Sequence, residues 1–178
     1  MRAEDEANFR AFVASRRKAL VGTAYLLTGD AGEAEDLAQT TLAKVFTAWR
    51  TVSAAENPDA YLHRILVNTN TSRHRKRRVL QFLTHSPPDR PSADPADAVA
   101  VRGALLAALA KLAPGRRAVL VLRFWSDLSE SQTAEVLGCS IGNVRSQSFK
   151  GLAQLRTDPS VAELVAERTR GRWQSEVG

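Results

Sequence analysis

Residues 72–78 read SRHRKRR, five Arg or Lys side chains in seven positions. Asn68, Asn70 and Thr71 lie just upstream, and Asn143, Arg145, Ser146, Gln147, Phe149 and Lys150 form a second polar group further along. Guanidinium and ammonium groups hold phosphates, whereas amides and hydroxyls reach base edges. Together these residue types fit nucleic-acid recognition. A basic run alone also fits a charged helix end or a targeting signal, so its meaning depends on the elements that carry it. No pattern of covalent chemistry competes with it. Cys139 is the single cysteine and has no internal disulfide partner, and His63, His74 and His85 share no metal-ligand spacing with it or with each other. No catalytic residue, metal or cofactor is expected.

The charge is concentrated around the basic run. The chain of 178 residues carries a net +6, and residues 61–90 hold seven basic groups against one acidic group, which equals the whole excess. Such a local field attracts polyanions. A membrane is the weaker candidate, because no apolar run approaches the roughly 20 residues of a spanning helix. The start, MRAEDEANF, lacks the basic and apolar regions of a secretory signal. A soluble, cytoplasmic protein is expected.

Breakers divide the chain once, at LTHSPPDRPSADPADA, residues 83–98. On both sides the apolar positions recur at three- and four-residue spacing. The expected fold is all-α: two small helical domains, 1–80 and 99–157, joined by a Pro-rich linker over 81–98 and followed by a tail, 158–178. In the first domain Asp30 and Glu33 form a capping-box pair ahead of a helix to Trp49. Ala34, Leu37, Ala38, Thr41, Leu42, Val45, Phe46 and Trp49 share its inner face, leaving Asp36, Gln39, Thr40 and Ala43 outside. Asn57 and Pro58 then open a helix to about Arg78. Tyr61, Leu62, Ile65, Leu66 and Thr69 are its core side. The basic run is its far end.

In the second domain Pro114 starts a helix through AVLVLRFW, and Ser129 with Gln132 starts another. Gly138, Cys139 and Ser140 make a tight turn into a helix from Ile141 to about Arg156. Two helices joined in this way form a helix-turn-helix. Ile141, Val144, Ser148, Leu152 and Leu155 are expected to face in.

The order of parts carries a resemblance. AGEAEDLAQTTLAKVFTAW, NPDAYLHRILVNTNTSRHRKRR, the Pro-rich tether and ALAKLAPGRRAVLVLRFWSDLSESQTAEVLGCSIGNVRSQSFKGLAQLR together resemble a bacterial sigma factor of the extracytoplasmic-function type, in its SigE-like actinobacterial subgroup. The resemblance implies docking on core RNA polymerase through Asp36, Gln39, Thr40 and Ala43. It implies contact with −10 DNA by residues 52–57, with Asn57, Tyr61, Arg64, Asn68, Asn70, Ser72, Arg73, Arg75 and Lys76. It implies −35 reading by Asn143, Arg145, Ser146, Gln147, Phe149 and Lys150. Thr40, Tyr61 and Ser72 stand where many relatives carry Glu, Trp and Asp. The partners so implied are core polymerase and promoter DNA, and an anti-sigma protein is left open as a third. A free-standing helix-turn-helix regulator is the alternative, and it accounts only for residues 115–156.

Overall fold

The computed structural model describes residues 3–84 and 97–162, with side chains over 4–76 and 103–162. Most of the Pro-rich tether, the side chains of Arg77 and Arg78, and residues 163–178 of the tail lie outside the described residues. Every regular element among the described residues is helical: α1 (Ala3–Thr28), α2 (Ala31–Thr47), α3 (Trp49–Ser53), α4 (Pro58–Thr84), α5 (Asp97–Ala110), α6 (Pro114–Leu120), a π-helical turn (Val121–Trp125), α7 (Glu130–Leu137) and α8 (Ile141–Thr157).

Helices α1 to α4 form the first domain. The Asp30 carboxylate accepts from the Glu33 N–H at 2.8 Å, capping α2 after Gly29 has turned the chain at φ +81°. Ala34, Leu37, Ala38, Thr41 and Val45 are then buried, as the spacing requires. Phe46 is 45% exposed, yet its ring meets Phe9 edge-on at 5.1 Å. The helix breaks at Ala48, so Trp49 begins a separate short helix and packs against Phe9 and Phe12. Asn57 Oδ1 accepts from the Ala60 N–H at 2.9 Å and caps α4. Arg16 grips Asp59 through Nε at 2.5 Å and Nη2 at 3.1 Å, so α1 holds the start of α4. Helix α4 runs to Thr84, six residues past its expected end and into the segment read as linker.

Helix α1 had no clear signature. Phe9 and Phe12 pack toward α2 and α3, Leu20, Ala24 and Leu27 enter the core, and Gly22, Thr23 and Leu26 face the second domain. A helix buried on several sides shows no single apolar stripe.

In the second domain α7 opens on a complete capping box, the Ser129 hydroxyl and Gln132 side chain each bonding the other's backbone. Gly138 closes it in the left-handed region at φ +63°. The Ser140 hydroxyl accepts from the Asn143 N–H at 3.1 Å and starts α8. The inner face of α8 differs from expectation at one end: Ile141 is 41% exposed, and Val144 and Gly151 are buried. Gly151 marks where α8 meets α6. A Cβ there would stand 2.8 Å from Leu120 Cδ1 and 3.0 Å from Arg116 Cγ, so the missing side chain lets α8 close on α6 at mid-helix. One apolar cluster joins the domains, from Leu20 and Leu27 to Leu122 and Val136.

Candidate nucleic-acid interface

Helix α4 sorts the candidate residues by periodicity. Tyr61, Arg64, Asn68, Thr71, Ser72 and Arg75 recur at three- and four-residue spacing along one side, and Asn68, Thr71, Ser72 and Arg75 are exposed. The Arg64 guanidinium lies over the Tyr61 ring, 4.3 Å from its centroid. This stripe offers an aromatic face, amide and hydroxyl groups, and cations in sequence. Lys76 is exposed beside it.

Two expected members lie elsewhere. Asn70 and Arg73 are half-buried, and Arg73 continues the side of Leu62, Leu66 and Thr69 that faces α2. Its Nη2 is 3.8 Å from Asp36 Oδ2, and its Nη1 is buried without a hydrogen-bond partner. Arg73 thus stands at the seam between the stripe and the outer face of α2. On that face Asp36, Gln39, Thr40 and Ala43 are all exposed, as expected from the spacing.

In the segment before α4, Val52 is fully buried, which leaves residues 53–57 at the surface to meet a ligand. Asn57 spends its carbonyl on the cap and keeps its amide N–H groups. His63, beyond the cap, donates from Nδ1 to the Asp59 carbonyl at 2.8 Å, and burial lowers its pKa below the ordinary value.

On α8, Asn143, Arg145, Ser146, Phe149 and Lys150 are exposed, and Phe149 shows 74% of its surface. An aromatic ring so placed, among polar neighbours, can meet a thymine methyl group. Arg145 Nε donates to Glu130 Oε2 at 2.7 Å. Gln147 is half-buried at the edge of the face, its carbonyl oxygen held by Arg116 Nε at 3.1 Å. Sequence reasoning missed Arg116, because a surface Arg in a GRR triplet gives no sign of what it will grip.

Two stretches of the chain match known families. Residues 12–79 match the sigma-70 region 2 family and residues 102–155 match sigma-70, region 4. The chain is 37% identical over 158 residues to the RNA polymerase sigma-E factor of Streptomyces coelicolor, covering 89% of both chains. It is equally identical to the sigma-E factor of Streptomyces antibioticus, covering 89% of this chain and 88% of that one. Among solved structures it resembles the sigma factor RpoE of Bartonella quintana, crystallised with the anti-sigma factor NepR. The TM-score there is 0.74 at 27% identity, over 84% of this chain and 94% of the other.

Proposed function

The chain belongs to the sigma-70 family of RNA polymerase sigma factors, in the extracytoplasmic-function group, and from that membership we propose how its surfaces divide the work of promoter opening. It is a transcription initiation factor that binds core RNA polymerase and directs it to promoters through their −10 and −35 elements. Such a factor performs no covalent step. RNA synthesis belongs to the polymerase, and both partners place the work in the cytoplasm.

The exposed face of α2, with Asp36 and Gln39 at its centre, docks on core polymerase. The α4 stripe takes the −10 DNA. Arg75 and Lys76 hold phosphates, while Tyr61, Arg64, Asn68 and Ser72 receive unpaired bases. Each stacked base recovers about 1–3 kcal/mol of the stacking and pairing lost on melting. Asn70 and Arg73 act from the α2 side, positioning the stripe. Asn143, Ser146 and Phe149 face base edges of the −35 element, Gln147 reaches in from the margin, and Arg145 and Lys150 supply cations. No helix among the described residues is long and apolar enough to cross a membrane. Because the Bartonella relative was solved with an anti-sigma factor, a protein of that class is a third partner in this reading.

One observation carries the assignment: on a single helix, an aromatic residue, amides, hydroxyls and cations follow one another along one stripe beside the exposed face of α2. A regulator acting without polymerase leaves that arrangement without a task. Gel-shift titration of promoter duplex, with and without core polymerase, tests the reading. Promoter-selective binding is expected only with core, and tight selective binding by the chain alone would favour the regulator.

A further inference from the structure

Arg145 Nε donates to Glu130 Oε2 at 2.7 Å, a bond from α8 to the first residue of α7. Both ends stand on fixed backbone. Glu130 follows Ser129, whose capping box with Gln132 sets the start of α7, and a carboxylate in that first turn also complements the helix dipole. Arg145 follows Val144, which is fully buried and seats α8 against Val119 and Ala134. The two charged side chains themselves stay at the surface, Arg145 69% and Glu130 36% exposed. An ion pair so open to water contributes little to stability, so its effect lies in where it holds the guanidinium.

A guanidinium carries five N–H donors in a planar fork. Glu130 takes the Nε edge, which leaves the two terminal nitrogens, Nη1 and Nη2, to meet a ligand end-on. Guanine offers O6 and N7 side by side on its major-groove edge, and an Arg fork pairs with both. A phosphate suits this place less well. The Glu130 carboxylate would stand beside it, repel it and cancel much of the positive field that draws it in.

We propose that Glu130 is a positioning residue for −35 recognition, holding Arg145 by Nε so that its terminal nitrogens read one guanine. With α8 read as the −35 helix, on which this rests, Arg145 changes from a general cation to a base reader. A free Arg loses side-chain freedom on meeting a base, and a partner that orders it beforehand reduces that cost. The same partner sharpens selectivity. Arg145 cannot swing to a nearby phosphate without leaving the Glu130 carboxylate behind.

Transcription by the full chain with core polymerase, from a promoter library randomised across −35, separates the two roles of Arg145. Arg145→Ala should lower the preference for guanine at one position by about tenfold or more, and Arg145→Lys, which keeps the charge without the fork, should do the same. Glu130→Ala should lower it at that same position by about three- to tenfold, while transcription from promoters lacking the guanine holds or rises. Glu130→Gln, whose amide oxygen can still accept from Nε, should retain most of the preference. Glu130→Ala combined with Arg145→Ala should match Arg145→Ala alone, as expected of one residue acting through another. Helicity by circular dichroism should be unchanged throughout, since both side chains lie at the surface. If Glu130→Ala raises transcription from all promoters alike and leaves the motif unchanged, Arg145 is a phosphate ligand and the proposal is overturned. If it alters a different position from Arg145→Ala, Glu130 meets a base itself and the positioning role is equally overturned. If the natural chain selects no −35 motif with core polymerase, the sigma-factor reading itself fails and the proposal falls with it.

Discussion

Arg116 Nε donates to the Gln147 carbonyl oxygen at 3.1 Å, while Arg116 Nη1 donates to that of Gln154 at 2.9 Å. A guanidinium has donors only, so both amides must turn their oxygens toward it. The Arg116 stem lies across Gly151, midway between them. Gln147 is left with its N–H groups alone to offer a groove.

A Gln fixed in this way reads acceptors. Gln147→Ala is expected to change the preferred −35 sequence at one or two positions, costing about 1–3 kcal/mol at the base it reads. That base should carry a major-groove acceptor: guanine N7 or O6, thymine O4, or adenine N7. Arg116→Met should free the amide oxygen for the adenine N6 amino group and shift the preference toward adenine. Lys150→Ala should weaken all sequences alike. Transcription from a promoter library randomised across −35 scores all three variants, and a motif indifferent to Gln147→Ala removes this residue from the readers.

Asp36→Ala with Gln39→Ala should weaken association with core polymerase while leaving helicity intact, since both side chains lie on the exposed face of α2. Pull-down of core enzyme measures it. Undiminished recovery would shift the docking surface elsewhere.

Replacing Arg75 and Lys76 by Ala should impair opening more than assembly, and should lower the salt slope of DNA binding by roughly one unit per phosphate contact. Permanganate reactivity of unpaired thymines near −10 reports opening. Normal reactivity at moderate salt would return the run to ordinary solvated surface. Arg73 is kept out of this variant because of its place beside Asp36.

Burial holds the His63 pKa below its ordinary 6.5 in the folded chain, so the unfolded chain takes up the proton first as pH falls. Stability is therefore full above about pH 6.5 and declines as pH drops through 6.5 toward the folded-state pKa. Thermal melts at pH 7.5 and 5.5 should show a loss that His63→Gln reduces. An identical loss in the variant would assign the pH dependence to other groups.

The caps were legible because each is a local device. Asp30, Asn57, Ser129 with Gln132, and Ser140 all bond the residue three positions on, as their types and spacing require. The outer face of α2 followed from the same periodicity. The contacts that were not legible depend on tertiary approach. Arg117 bonds a backbone carbonyl 91 residues away, which no side-chain pattern marks. Ile141 reads as core by spacing yet is exposed, and the close approach of α8 to α6 falls at Gly151, which a pattern of apolar side chains does not mark. Arg73 sits in a basic run and reads as one more phosphate ligand until the course of α4 turns it toward Asp36.

In the proposed function this chain selects promoters for core polymerase through two separate surfaces. Run-off transcription of a fragmented genomic library with purified core enzyme, with and without the chain, tests it most directly. New start sites are expected only when the chain is present, sharing one −10 and one −35 motif at fixed spacing. In that set, α8 variants such as Ser146→Ala should alter only the −35 motif and α4 variants such as Asn68→Ala only the −10 motif. Transcripts independent of the chain, or one motif altered by changes in both helices, would contradict the account.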